Sequence, residues 1–370
     1  MKVLHVITGL DAGGAETQLA MLVRHSRHEC DVVTLYNPGP IADQIRSEGT
    51  SVRDIGMHGN RDLRALVQLR SLIAAGHYDV VHTHLYRSQI YARPAARLAG
   101  TKVVVTTEHS IGETHIERRK MTNGVRGLYL ASELFSDKTI AVSDVVKDRL
   151  VRWGVPERKI SVIENGIDTD ALAFDPDARA RTRAQFGIAP DTYVIGTLGR
   201  LDPNKRIDMV IEAAAPLLGE NCVLLIVGRG ETMERDKEAA AKAGVADRVI
   251  FAGFQLDSTA MLSAFDVYVM ASVQETFGIA ALEAMANGLP VLYTTCPALD
   301  GVTTTEARQI EGSVPGLRAA FTDAVKAGPG SRQPDTTVFE RWGIGSTARR
   351  IDDLYEQIYR DRSKRGRGKE

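Results

Sequence analysis

Short runs of apolar, often β-branched residues alternate along this chain with longer stretches of mixed character. In the first half the runs fall at 3–8 (VLHVIT), 30–36 (CDVVTLY), 78–84, 103–108 (VVVTTE), 139–143 (TIAVS) and 160–165 (ISVIEN). A second series starts afresh at 193–199 (YVIGTLG) and continues at 222–228 (CVLLIVG), 248–253 (RVIFAG), 267–272 (VYVMAS) and 290–295 (PVLYTT). Runs this uniformly apolar predict strands covered on both faces, as in parallel sheets, rather than half-exposed hairpins. The intervening segments, among them 16–25, 40–48, 205–216, 231–243, 257–264 and 277–287, predict crossover helices. The expected fold class is α/β, with two doubly wound parallel sheets in tandem.

Between 167 and 190 the chain carries Pro, Gly and Asp punctuation without a strand pattern, which places the seam there. The expected domains are 1–168 and 169–340. Apolar residues at Ile351, Leu354, Tyr355 and Ile358 have helical spacing and predict a helix over 341–360 that packs back on the body. The basic segment 361–370 is expected to be a disordered tail.

Composition narrows the partners. With 46 basic and 47 acidic side chains, no global field draws nucleic acid, and none is expected as a partner. Cys30, Cys222 and Cys296 are odd in number and far apart, which supports neither a disulfide framework nor a zinc site. No signal-peptide pattern opens the chain and no apolar run is long enough for a bilayer, so a cytoplasmic location is expected.

Candidate chemistry sits where strands end. The first run leads into Gly9, Gly13 and Gly14, a glycine turn that lets backbone amides approach a phosphate at a helix start. The spacing is not G-x-G-x-x-G, and the second run ends at Tyr36-Asn37 without the acidic residue that holds a nicotinamide ribose, which counts against a dehydrogenase. Arg200 follows the first strand of the second series and Lys205 lies on the next loop. Two cations there suit a diphosphate, although alone they read equally as surface charges. Glu275 to Glu283 (ETFGIAALE) follows the strand at 267–272. A helix starting near Phe277 would turn the amides of Thr276, Phe277 and Gly278 toward an anion, and Glu275 and Glu283 could hold two sets of hydroxyls. His109 ends the strand at 103–108, and His82 and His84 share one face of the preceding strand. No metal is expected, because the cations and helix amides would take its place on the diphosphate.

Together these pieces resemble the retaining glycosyltransferases of family 4, which have the GT-B fold. The matching segments are GLDAGGAE (9–16), THLYRS (83–88), TEHS (107–110), AVSD (141–144), ENGID (164–168), GRLDPNKRIDMVIEA (199–213), VGRGE (227–231), FAGF (251–254) and ETFGIAALEAMANGLPV (275–291). The resemblance implies two Rossmann-like domains facing a central cleft, a nucleotide-sugar donor, a hydroxyl acceptor and no cofactor. In that pattern Arg200 and Lys205 neutralise the diphosphate with amides around Gly13, Gly14 and Phe277, while Glu283 binds the ribose. Glu275 contacts the transferred sugar, His109 lies beside its reacting carbon, Glu16 is on the acceptor side, and Arg229 and Phe254 lie near the base. UDP is the commonest carrier in such relatives, and many of them touch membranes, for which the basic and apolar segment 115–135 is the candidate, the alternative for it being an acceptor-side helix with a solvated basic face. The segment 296–316 departs from the family's Gly-rich loop and leaves the sugar open. An epimerase or phosphorylase on the same fold, and a non-catalytic sugar-nucleotide sensor, are the competing readings.

Overall fold

The apolar runs of the first half form a seven-stranded parallel sheet in a computed structural model that describes all residues except 12, 118, 333, 335–338 and 368–370. Its elements are β1 (Lys2–Ile7), α1 (Gly14–His25), β2 (Glu29–Thr34), α2 (Gly39–Ser47), β3 (Val52–Asp54), α3 (Arg64–Gly76), β4 (Val80–His84), α4 (Tyr86–Leu98) and β5 (Val103–Glu108). A two-stranded hairpin of β6 (His115–Ile116) and β7 (Arg119–Lys120) precedes α5 (Asn123–Glu133), β8 (Lys138–Ala141), α6 (Asp144–Trp153) and β9 (Ile160–Val162). The strand order is β3-β2-β1-β4-β5-β8-β9.

The second series forms its own six-stranded parallel sheet. After α7 (Pro176–Gln185) come β10 (Tyr193–Leu198), α8 (Ile207–Ala214), β11 (Cys222–Val227), α9 (Met233–Lys242), β12 (Val249–Gly253) and α10 (Ser258–Ala264). They are followed by β13 (Val267–Met270), α11 (Ile279–Ala286), β14 (Val291–Tyr293), β15 (Ala307–Gln309) and α12 (Val314–Ala327). The order β12-β11-β10-β13-β14-β15 repeats the arrangement of the first sheet: the chain starts centrally, winds one way, then returns to the other side. In such sheets the direction changes beside the first strand, and ligands bind beyond the carboxyl ends at that point. It lies between β1 and β4 in one unit and between β10 and β13 in the other.

The chain divides into Met1–Gly166 with Trp342 onward, and Ile167–Arg341. The last helix, α13 (Ile344–Arg367), returns to the first unit, where Ala348, Ile351, Tyr355 and Ile358 pack against Val3, Val80, Val103 and Ile140. This helix corrects the expected disordered tail: it continues through 361–367, and Arg362 bonds Asp137 on the loop before β8. The remaining residues of that tail lie outside the described ones. In the seam segment, α7 is a polar helix that sequence periodicity does not reveal. Asp175 caps its first amides at 2.8 and 2.9 Å, and Arg179 and Arg183 both grip the buried Asp266 at 2.7 Å.

Candidate donor and acceptor sites

In the second unit the loops after β10 and β13 are fastened to each other by the side chain and backbone of one residue. Asn204 donates from its amide to Gln274 O at 2.9 Å and accepts from Gln274 N at 3.0 Å, while its carbonyl accepts from Val273 N at 2.9 Å. Asp202 caps this turn by accepting from Asn204 N at 3.0 Å. The staple brings Lys205 Nζ to Glu275 Oε1 at 2.6 Å, and both are mostly shielded, with side-chain exposures of 25% and 13%. Arg200 and Lys205 line one pocket with Gly199, Thr197, Tyr268 and Ser272, at the carboxyl ends of β10 and β13. Arg200 is half-buried there and forms no hydrogen bond or ion pair with a described residue. Ser272 also lines the pocket, fully buried and with its hydroxyl unpartnered.

Glycines let the neighbouring loops close on this pocket. A Cβ at Gly228 or Gly230 would run into the carbonyls of Gly199 and Leu201. Their close approach is set by backbone bonds from Gly199 N to Val227 O (3.0 Å), Leu201 N to Arg229 O (3.1 Å) and Gly228 N to Gly253 O (2.8 Å). Arg229 in turn stacks over Phe254 with its guanidinium carbon 5.2 Å from the ring centre, so these two expected base neighbours are together.

The loop after β13 differs in detail from its expected form. The helix starts at Ile279, two residues later than expected, because Gly278 is its N-cap with φ 94°. A side chain at Gly278 would also meet Cys296 Sγ. Phe277 is a core side chain, 2% exposed, and only its backbone can face a ligand. Thr276 stays half-buried on the loop. Glu283, half-buried on the first turns of α11, has no side-chain hydrogen bond to a described residue, and burial raises its carboxyl to about 7. The departing segment 296–316 supplies the edge strand β15, and Arg206 reaches across to Gly312 O at 2.6 Å.

Two Asp-x-Asp pairs bear on the expectation of a metal-free diphosphate site. Asp168 Oδ1 of the first pair (with Asp170) accepts from Ala171 N at 3.1 Å, and Asp175 of the second (with Asp177) is the α7 cap. Both pairs serve local turns, and neither lines the pocket.

In the first unit a pocket is lined by Gln18, His84, Thr107, His109, Glu164 and Asn165, among others. His109 is half-buried at the end of β5, and burial lowers its imidazole to about 4. Sequence spacing offered His82 and His84 as a pair; the β1–β4 pairing adds His5 directly opposite His82. Leu85, next in the chain, holds φ 70° and ψ 153°, a region nearly confined to glycine, at a cost of about 1–3 kcal/mol. Gly9, whose Cβ would meet the carbonyls of Tyr36 and Asn37, is a packing glycine. A Cβ at Gly13 would meet only the Glu16 carboxylate, the movable end of a side chain in the first turn of α1, and Gly14 opens that helix exposed.

The family model described as Glycosyltransferase Family 4 matches residues 12–171, and the one described as Glycosyl transferases group 1 matches residues 178–310. The chain is 30% identical over 240 residues to the UDP-Gal:alpha-D-GlcNAc-diphosphoundecaprenol alpha-1,3-galactosyltransferase of Escherichia coli, a match covering 63% of this chain and 62% of that one. It is 30% identical over 266 residues to the D-inositol 3-phosphate glycosyltransferase of Salinispora arenicola, covering 65% of this chain and 58% of the relative. It thus spans less than two thirds of either relative's length. Among solved structures, HepE of Anabaena in complex with UDP and glucose aligns over 100% of both chains with a TM-score of 0.77 at 20% identity. With both family models in sequence order on two all-parallel α/β units, the chain belongs to the family 4 type of glycosyltransferases and has the GT-B fold.

Proposed function

We propose that this protein transfers a sugar from a nucleotide-sugar, with UDP as carrier, to a hydroxyl acceptor with retention of anomeric configuration and without a metal ion. The observation that carries the reading is the unpaired Arg200 guanidinium beside Lys205 in the switch-point pocket of the second unit. The donors of the relatives support it: the E. coli relative's name includes UDP-Gal, and HepE was solved with UDP.

In this reading Arg200 and Lys205 face the diphosphate, where charge grows as the leaving group departs, so they act more on the transition state than on bound substrate. Glu283 accepts hydrogen bonds from the ribose, Glu275 positions the sugar, and Arg229 with Phe254 borders the base. The C1–O bond to the diphosphate breaks on the face where the acceptor oxygen bonds, and the acceptor proton passes to the leaving phosphate oxygen. His109 supports the reacting sugar and Glu16 the acceptor. The acceptor class suggested by the E. coli relative is lipid-linked, and peripheral membrane contact through exposed Leu128, Leu134 and Phe135 of the 115–135 segment would reach it. No described helix is long and apolar enough to cross a membrane.

Replacing Lys205 with Ala should lower turnover on the order of 10²–10³-fold while the far-UV spectrum is unchanged. A near wild-type rate removes Lys205 from the chemistry. Proton NMR of fresh product should show the donor's anomeric configuration, and an inverted product refutes the front-face displacement.

A further inference from the structure

We propose that His5 and His84 are positioning residues that fix His109 as its Nδ1–H tautomer, through a hydrogen-bonded file of three rings running from β1 through β4 to the end of β5. The inference deepens the role given to His109 and rests on that reading for its catalytic meaning.

The file is continuous. His5 Nδ1 lies 3.1 Å from His84 Nε2, and His84 Nδ1 lies 3.2 Å from His109 Nε2. Burial lowers His5 to about 3, and holds His84 well below its ordinary range, so each ring carries a single proton. His84 uses both nitrogens, so it must donate at one and accept at the other, which gives the file one of two polarities.

The far end selects between them. His5 Nε2 is buried and has no partner among the described residues. If the protons point from His109 toward His5, that nitrogen is a buried N–H without an acceptor. If they point from His5 toward His109, it is a bare lone pair, the less costly orphan, since unsatisfied buried N–H groups are the rarer kind. The second polarity follows: His5 donates from Nδ1 to His84 Nε2, and His84 donates from Nδ1 to His109 Nε2. His109 accepts at Nε2, so its proton sits on Nδ1. That nitrogen is then a fixed donor for a substrate oxygen and cannot serve as a base. Neutral histidine in water favours the opposite, Nε2–H form, so the file works against the intrinsic preference.

A metal is the competing occupant, because His5, His82 and His84 can each offer a nitrogen within 4.8 Å of the others. A three-histidine site needs three lone pairs aimed at one point at about 2.0–2.1 Å. His82 is instead tied at both nitrogens, to Tyr355 Oη at 2.5 Å and Thr107 Oγ1 at 2.7 Å, and His84 is tied at both by the file.

The test is a long-range ring ¹H–¹⁵N correlation spectrum of the full chain labelled with ¹⁵N-histidine, with the His109 signal assigned by its loss in His109→Phe. Wild type should show His109 as Nδ1–H, and His5→Phe or His84→Phe should move the tautomer ratio toward Nε2–H by roughly five-fold, the equivalent of about 1 kcal/mol. Nε2–H at His109 in wild type overturns the proposal even if neither variant folds. So does an unchanged Nδ1–H signal in both variants, or stoichiometric metal in the purified protein. The expected spectra together with full transfer activity of His109→Phe would leave the file standing and sink the role of His109 in the reaction instead.

Discussion

Replacing Glu283 with Gln separates what the fold wants at this position from what the ligand wants. Burial raises the Glu283 carboxyl from its ordinary value of 4.5 to about 7, with no hydrogen bond from a neighbouring side chain to oppose it. Below pH 4.5 the group is protonated folded and unfolded, and contributes nothing to the pH dependence. Between pH 4.5 and 7 the unfolded chain releases the proton and the folded chain keeps it, so stability falls as pH rises. Above pH 7 both states are ionised and the full penalty is present. At 1.36 kcal/mol per unit this penalty is of the order of 3 kcal/mol, an upper bound because the side chain retains some exposure. Gln keeps the shape and does not titrate. The variant should therefore match wild type near pH 4.5 and exceed it by up to about 3 kcal/mol at pH 8, several degrees in the midpoint of a unit this size.

Thermal unfolding from pH 4.5 to 8, with and without UDP, reads both halves of this reasoning. With ligand the gap should narrow. A carboxylate accepting from ribose hydroxyls is worth about 1.5–3 kcal/mol more than an unmade contact, so UDP should stabilise wild type at pH 8 and stabilise the Gln variant far less. Parallel stability curves across the pH range would refute the burial argument. Equal stabilisation of both proteins by UDP would remove Glu283 from the ribose site.

Three other outcomes are expected. Transfer activity should survive dialysis against a chelator, and a complete loss restored by manganese or magnesium would contradict metal-free diphosphate binding. Gly228→Ala forces a methyl group into the Gly199 carbonyl at φ 138° and should cost at least about 1–3 kcal/mol, so an unchanged urea midpoint would show that these loops are not packed as described. The protein should float with anionic liposomes at low salt through the 115–135 segment, and failure to float there discards peripheral membrane contact.

The long strands were legible because they are buried on both faces and so read as unbroken apolar runs. Two short edge strands, β3 and β15, were not. VRD of β3 and ARQ of β15 carry polar side chains because each borders the sheet on one side only. Helix α7 was hidden for a different reason: PDARARTRAQ has almost no apolar face, and its anchoring depends on Asp266, far away in sequence. The same limit applies near the sites. Arg200, Lys205 and Glu275 stand at strand ends and could be chosen by position, whereas Asn204 looks like any turn residue until both of its partners are known. His5 was the least visible, lying inside an apolar run, and it acquires partners only because β1 and β4 are neighbours in the sheet.

The polar groups of the second unit divide into those that satisfy one another and those that do not. Lys205 and Glu275 form an ion pair at 2.6 Å, so neither charge is left bare in the shielded loop. Arg200 and Glu283 have no such partner, and burying polar groups unpaired is a standing cost to the fold. A cation without an anion and a carboxyl without a donor are relieved by a ligand that carries both an anionic group and hydroxyls. A sugar nucleotide has that combination in its diphosphate and ribose. Its phosphates would also compete with Glu275 for Lys205, and release Glu275 toward the sugar. In the proposed reading the Lys205–Glu275 ion pair would be exchanged for contacts with the donor when donor binds, rather than those contacts being formed from bare charges.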